Sequence, residues 1–295
     1  MADARTKAEA IAQEAYARWL GVRVDKIEPD CARVELPYKE ENSNPGKQVH
    51  GGVVASALAI AARIAARAGL EAAEPCASGM LSLNVGHLAS AVGEAIFAEG
   101  RVMRRGKELC YVRSEAANPD GKPLGTATVV YRAAPGIDPA PAQSAPNQTA
   151  IDRSGDAVEG IEALAGALTA SPFIAGVGMV AEQMKDGRAR LRLAHRETNA
   201  GEGGAIHEGA IAALIDTCGA LSAWSLVKPQ RGMRVSTVGI DAEFVSAARD
   251  QDLIARSRTV GRKREIFFNR VEIESADGML AAYGSVIYRI VLPEQ

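Results

Sequence analysis

The chain has 295 residues, 47% of them hydrophobic, and its 34 basic and 36 acidic residues leave a formal net charge of −2. That length is enough for two ordinary hydrophobic cores and excludes a disordered chain. The near-even charge balance marks no global surface for nucleic acid or membrane, so small soluble partners are expected.

The opening MADARTKAEAIAQEAYARWL mixes charges throughout and spaces Ile11, Ala15 and Trp19 as one face of an amphipathic helix, unlike a signal peptide. Short strands are expected around 22–37, then a loop. QVHGGVVASALAIAA (48–62) opens a helix predicted from Gly51 to about Gly69, and Gly51 to Ala62 carries no charge. A helix apolar on nearly all sides must be buried on nearly all sides. Four alternating segments follow near 79–89, 93–104, 107–118 and 122–134, the last two joined by the turn signal Asn118-Pro-Asp-Gly121.

Residues 133–155 (AAPGIDPAPAQSAPNQTAIDRSG) are rich in Pro, Ala, Ser and Asn and read as a linker. Beyond it the pattern returns, with a helix from about Glu208 to Val227 and strands near 235–245, 252–262, 264–275 and 279–290. Cys31, Cys76, Cys110 and Cys218 lack metal spacing and read as free thiols. No window reads as a bilayer span and no metal or cofactor motif occurs, so a soluble cytoplasmic protein is expected.

The two halves are a repeat at a constant offset of 157 residues. His50 falls on His207, Asn42 on Asn199, Arg101 on Arg258, Glu108 on Glu265, Arg113 on Arg270, Asp120-Gly121 on Asp277-Gly278 and Tyr131-Arg132 on Tyr288-Arg289, with no gap between 21 and 132. One helix followed by an antiparallel meander in each copy predicts an α+β domain whose sheet wraps the helix.

His50-Gly51-Gly52 at the head of a buried helix, Asn44-Pro-Gly46 before it and Ser82-Leu-Asn84-Val85 after it resemble the hotdog-fold acyl-CoA thioesterases of the phenylacetate-pathway (PaaI-like) type. So do Ser171-Pro-Phe173 and His207 with Asp216 nine residues on in the second half. The resemblance covers both halves and implies a tandem hotdog: domain 1 at 1–135, linker at 136–155 and domain 2 at 156–295, paired within the chain as a pseudo-dimer. It also implies acyl-CoA as the substrate, with no cofactor beyond the coenzyme A of that substrate, and a homodimer of double hotdogs.

In that family one partner of each pair supplies an Asn six residues before the His and the backbone N–H after it. The other supplies an acid nine residues after its own His, and a hydroxyl on the next strand. Carried onto this chain, the first half keeps Asn44, His50 and Gly51 but has Ala59 and Met80 in the acid and hydroxyl slots. The second half keeps Asp216 and Thr237, with Ser236 beside it, but has Gly201 and Glu208 for the Asn and the Gly. One composite site is therefore complete and its mate is dead.

The chemistry agrees. Thioester hydrolysis needs a donor for the carbonyl oxygen and a base or nucleophile. Gly51, at a helix N-terminus, offers a free N–H and a favourable dipole, with Gly52 beside it for the substrate, and Asp216 supplies the base or the nucleophile. Glu208 in the mate would repel developing negative charge.

Each residue also has a plain reading: HGG as a tight helix entry, Asp216 as an acid bonded to a loop, Thr237 as sheet packing, and Asn44 as a turn residue with Asn42 in its place. The basic groups Arg105 and Lys107, and Arg262, Lys263 and Arg264, fall at strand turns, where they face coenzyme A phosphates in this family or simply cap solvated hairpins. His87, His195, Trp19 and Trp224 read as packing or surface residues. The alternative function is a silent acyl-CoA binding protein on the same fold.

Overall fold

The computed structural model describes residues 2–68, 70, 76–135 and 171–293; the linker expected at 136–155 lies outside them, and residues 133–135, read with it by composition, end the last strand of the first half. The first half runs α1 (Ala2–Ala12), α2 (Ala15–Leu20), β1 (Arg23–Glu28), β2 (Cys31–Leu36), α3 (Gly51–Ala68), β3 (Cys76–His87), β4 (Ile96–Arg105), β5 (Leu109–Ala117) and β6 (Pro123–Pro135). The second runs α4 (Pro172–Val177), β7 (Met179–Lys185), β8 (Arg188–Leu193), α5 (Glu208–Trp224), β9 (Arg234–Phe244), β10 (Leu253–Lys263), β11 (Ile266–Ser275) and β12 (Leu280–Val291).

The strands join into one antiparallel sheet of twelve, ordered β1-β2-β4-β5-β6-β3-β9-β12-β11-β10-β8-β7. Each half contributes six neighbours, and the halves meet where β3 pairs with β9. At the centre of that seam Asn84 sits opposite Asp241, its own repeat mate, so the pseudo-two-fold axis passes between them. The Asn84 amide donates to the Asp241 carboxylate. Two aspartates would repel there, and the divergence of the repeat replaces that repulsion with a hydrogen bond. Even the irregularities repeat: bulges fall at Val102/Arg104 in β4 and at Thr259/Gly261 in β10. The fold is the double hotdog, an α+β architecture with two central helices wrapped by the sheet.

Gly51–Ala68 is, contrary to the sequence expectation, long and apolar enough by length and composition to cross a membrane. It lies instead inside the protein, Gly52 through Ala66 all buried, because the curled sheet covers one side and α5 the other. α3 and α5 approach closely at two symmetric contacts. A Cβ on Gly52 would lie 2.5 Å from the Ala213 Cβ, and one on Gly209 would lie 2.9 Å from the Ser56 Oγ. Ser56 is the repeat mate of Ala213, and its Oγ lies 3.0 Å from the Gly209 carbonyl and 2.7 Å from the Gly52 carbonyl. The missing side chains let the two helix backbones nearly touch.

Gly52→Ala is therefore expected to overpack this crossing by about 1–3 kcal/mol. Thermal unfolding should show a lower midpoint for Gly52→Ala, partly restored by a second Ala213→Gly change.

Candidate active site

The crossing of the helices assembles a site from both halves. A cavity of about 880 Å³ is lined from the first half by Asn44, His50, Gly51 and His87, and from the second by Ser171, Asp216, Ala220, Trp224, Thr237 and Tyr288, among others. Asp216 stands one helical turn beyond the Ala213 contact, so its carboxylate faces the first turn of α3. A Cβ on Gly51 would come within 2.8 Å of Asp216 Oδ2 and 3.3 Å of Thr237 Oγ1. Only glycine leaves room there for a reacting group.

Thr237 donates to Asp216 Oδ1 at 2.6 Å. The acid is 2% exposed, and burial pushes its carboxyl up from 3.8 to about 6, against the opposing pull of the Thr237 hydroxyl and the Gly52 N–H. A carboxylate that titrates so close to neutrality is suited to accepting a proton.

His50 orders the helix entry. Its Nδ1 accepts from the Gly52 N–H at 3.0 Å, and burial, helped by His87, lowers it to about 3, so the ring is neutral. Nδ1 lies 3.7 Å from Asp216 Oδ2, but with its lone pair turned to Gly52 it offers the acid no proton and the two form no ion pair. The free Nε2–H faces Thr217 Oγ1 at 3.5 Å. With the Gly52 N–H held by His50, the first N–H of the helix, that of Gly51, is left for a ligand.

Not all the predicted residues gather here. Asn44 lines the cavity, whereas Asn42 is fully buried and donates to the Leu20 carbonyl at 2.8 Å, a loop-holding role. Ser236 lines the cavity; Gly52 does not, because its α-carbon packs on Ala213. Arg105 is not free to meet a substrate. It pairs with Asp30 at 2.5 Å and donates to the Ala66 carbonyl at 2.8 Å, closing the C-terminal end of α3. Lys107 is on the same hairpin and is likewise absent from the cavity lining. The Arg262-Lys263-Arg264 turn leads into Ile266, which does line it, but Arg262 lies over the Phe267 ring and donates to the Arg264 carbonyl.

Three residues that the sequence did not assign to the site line the same cavity. His87 lines the cavity near Gly51, burial lowers its imidazole to about 4, and its buried Nε2 has no partner among the described residues. Trp224 also lines the cavity, donating its indole N–H to the Tyr288 hydroxyl at 3.2 Å. Ser171 lines it as well, from the residue just before α4. The offset carried a signal for all three, since His87, Trp224 and Ser171 fall on Phe244, Arg67 and Glu14.

The mate site is filled. Arg63, the repeat mate of Ala220, is 2% exposed and holds Glu14 with both guanidinium nitrogens at 2.9 and 2.7 Å, with Glu202 at 2.9 Å and Glu208 at 3.5 Å. Arg67 also pairs with Glu202, at 2.9 Å. Burial alone would raise the Glu208 carboxyl, but Arg63 and His207, with the N–H groups of Glu208 itself and Met80, outweigh it and hold it below its ordinary range. The donor that Gly51 leaves open is thus occupied in the mate by the residue's own side chain.

Two stability effects follow. Burial makes Asp216 bind its proton more tightly in the folded than in the unfolded chain, so ionisation weakens the fold. That penalty is absent below about pH 4, grows between about 4 and 6, and is complete above. Asp216→Asn should stabilise the protein by roughly 1–3 kcal/mol at pH 8 and by almost nothing at pH 4, as read by denaturant unfolding at the two values. Arg63→Ala leaves buried carboxylates unpaired and should cost about 3–5 kcal/mol, measured the same way.

Comparison with known proteins agrees with this architecture. The thioesterase superfamily pattern matches residues 203–282. A Saccharolobus solfataricus protein described as a candidate esterase is 32% identical over 105 residues, covering 36% of this chain and 73% of its own. Among solved structures, a candidate thioesterase from Novosphingobium aromaticivorans superposes with a TM-score of 0.66 at 14% identity, over 92% of this chain and 98% of that one. An acyl-CoA thioesterase II from Mycobacterium marinum does so at 0.60 and 14%, over 92% and 97%. The full-length likenesses are thus to double hotdogs of the thioesterase II kind and do not single out the PaaI-like type. The chain belongs to the thioesterase superfamily, in its double-hotdog form.

Proposed function

We propose that the protein hydrolyses acyl-CoA thioesters at one composite site per chain, using the PaaI-like arrangement of parts. The observation that carries this reading is the buried Asp216 carboxylate of one half set against the open Gly51 N–H of the other, inside a cavity shared by both.

The thioester carbonyl oxygen lies at the Gly51 N–H, where the helix dipole favours the negative charge of the tetrahedral intermediate. Asn44 adds a second donor from the facing loop. Asp216, oriented by Thr237, either takes the proton of an attacking water or attacks the carbonyl itself, and the thiolate of coenzyme A leaves. The neutral imidazole of His87 lines the same space, with a ring nitrogen to offer the water or the leaving sulfur.

The acyl group extends along α5 over Ala220 toward Trp224. Trp224 lies eight residues past the carboxylate, or about 12 Å along the helix. In the mate site Arg63 and Arg67 occupy the equivalent positions, so the exchange of two arginines for Ala220 and Trp224 is what supports an acyl channel on one side alone.

The test is thiol release from a panel of short, long and aryl acyl-CoAs. Wild-type protein should turn over at least one class, Asp216→Asn should lose about 10²-fold or more in kcat, and the Ala59→Asp control in the filled mate should change nothing. Because the reacting carboxylate must be ionised, kcat should rise with pH through about 6 and then level off. Binding of every acyl-CoA without turnover would reject the hydrolase.

A further inference from the structure

Ser171 immediately precedes α4 and occupies its N-cap position, where a serine ordinarily accepts a hydrogen bond from the second or third N–H of the helix. It makes no such bond. The side chain is buried, and its hydroxyl donates instead to Asn44 Oδ1 at 2.9 Å, across the boundary between the halves. Serine thus gives up a local helix-capping bond to hold a residue 127 positions away.

The same slot in the other half is also diverted. Glu14, the repeat mate of Ser171, is the N-cap of α2, makes no side-chain cap bond either, and sends its carboxylate to Arg63. In each half the residue before the leading turn therefore turns its side chain into one of the two composite sites, Ser171 by crossing to the other half and Glu14 by bonding within its own. In the filled site it anchors the plug; in the open site it grips the amide that lines the cavity.

In the observed arrangement the hydroxyl donates to Oδ1, which turns the other end of the amide toward the cavity. A primary amide has one acceptor oxygen and one donor nitrogen. With Oδ1 occupied by the Ser171 hydroxyl, Nδ2 with its two hydrogens is the end left for a ligand. The backbone does not fix this choice: the Asn44 N–H to Gln48 carbonyl bond at 2.7 Å holds the loop but leaves the side chain free to turn over. With the amide reversed, a carbonyl oxygen would face the thioester oxygen and repel it.

We infer that Ser171 is a positioning residue for the reaction, contributed by the second half to orient Asn44 of the first as a hydrogen-bond donor. The inference rests on the hydrolase reading for its kinetic test, but the orientation itself can be read without turnover.

The experiment is a double-mutant cycle in the full chain with Ser171→Ala, Asn44→Ala and the pair, each checked by thermal unfolding, together with Ser171→Thr. On an acyl-CoA that the wild type hydrolyses, Ser171→Ala should lower kcat/KM by about tenfold, the loss of one oriented hydrogen bond. Ser171→Thr, which keeps the hydroxyl, should recover most of it. In the Asn44→Ala background, Ser171→Ala should have less than about a twofold further effect, since there is no amide left to orient.

The same cycle is run on the Kd of a non-hydrolysable acyl-CoA analogue in which a methylene replaces the sulfur and the carbonyl is kept, where Ser171→Ala should weaken binding only when Asn44 is present. Coupling in Kd with no turnover by the wild type would reject the hydrolase and keep the positioning role. Turnover with equal Ser171→Ala effects in both backgrounds, or with none in either, would overturn the positioning role and leave the hydrolase standing.

Discussion

The close crossing of the two central helices is the constraint from which the rest follows. Because Gly52 meets Ala213 and Gly209 meets Ser56 with almost no side chain between them, the first turn of each helix lies against the middle of the other. One turn past the contact, position 216 is brought to the open N-terminus of α3, and position 59 is brought by symmetry to that of α5. The fold thus creates two chemically equivalent places where an acid of one half can meet a backbone donor of the other. What happens at each place depends on which residues the repeat has kept.

Having two copies in one chain permits an asymmetry that a symmetric homodimer cannot have, because there every substitution appears twice. Here the axis itself is desymmetrised by Asn84 and Asp241. One place holds Asp216, Thr237, Asn44 and Gly51 around open space. The other holds Ala59 and Met80 under a lattice of Arg63, Glu14, Glu202 and Glu208. Five charged groups, Arg67 included, have moved into a space that its counterpart keeps empty. A buried arginine is tolerable only when carboxylates surround it, so these exchanges depend on one another.

The open site is governed by burial. Desolvation keeps His50 and His87 neutral and lifts Asp216 toward neutrality, so the buried titratable groups of the cavity carry little fixed charge apart from the carboxylate itself, while the lining Arg289 is exposed and paired with Glu265. The neutral His50 then serves its backbone: its lone pair caps the Gly52 N–H, and the Gly51 donor is left exposed. A protonated ring would instead pair with Asp216. The geometry of the helix entry and the ionisation of the acid are therefore set by the same exclusion of water.

The sequence by itself determined the duplication, the order of elements in each half, the burial of both helices and the positions at which the two copies differ. These depend on periodicity and on matched positions, which a linear string records directly. It could not show that Arg63 fills the mate site, that Arg105 closes a helix end, or that His87, Trp224 and Ser171 reach the cavity. Each of those depends on which residues distant in the chain become neighbours. Asn44 illustrates the division: its residue type and its spacing from His50 were legible, but the direction its amide faces depends on a serine 127 positions away, which only the paired halves bring within reach.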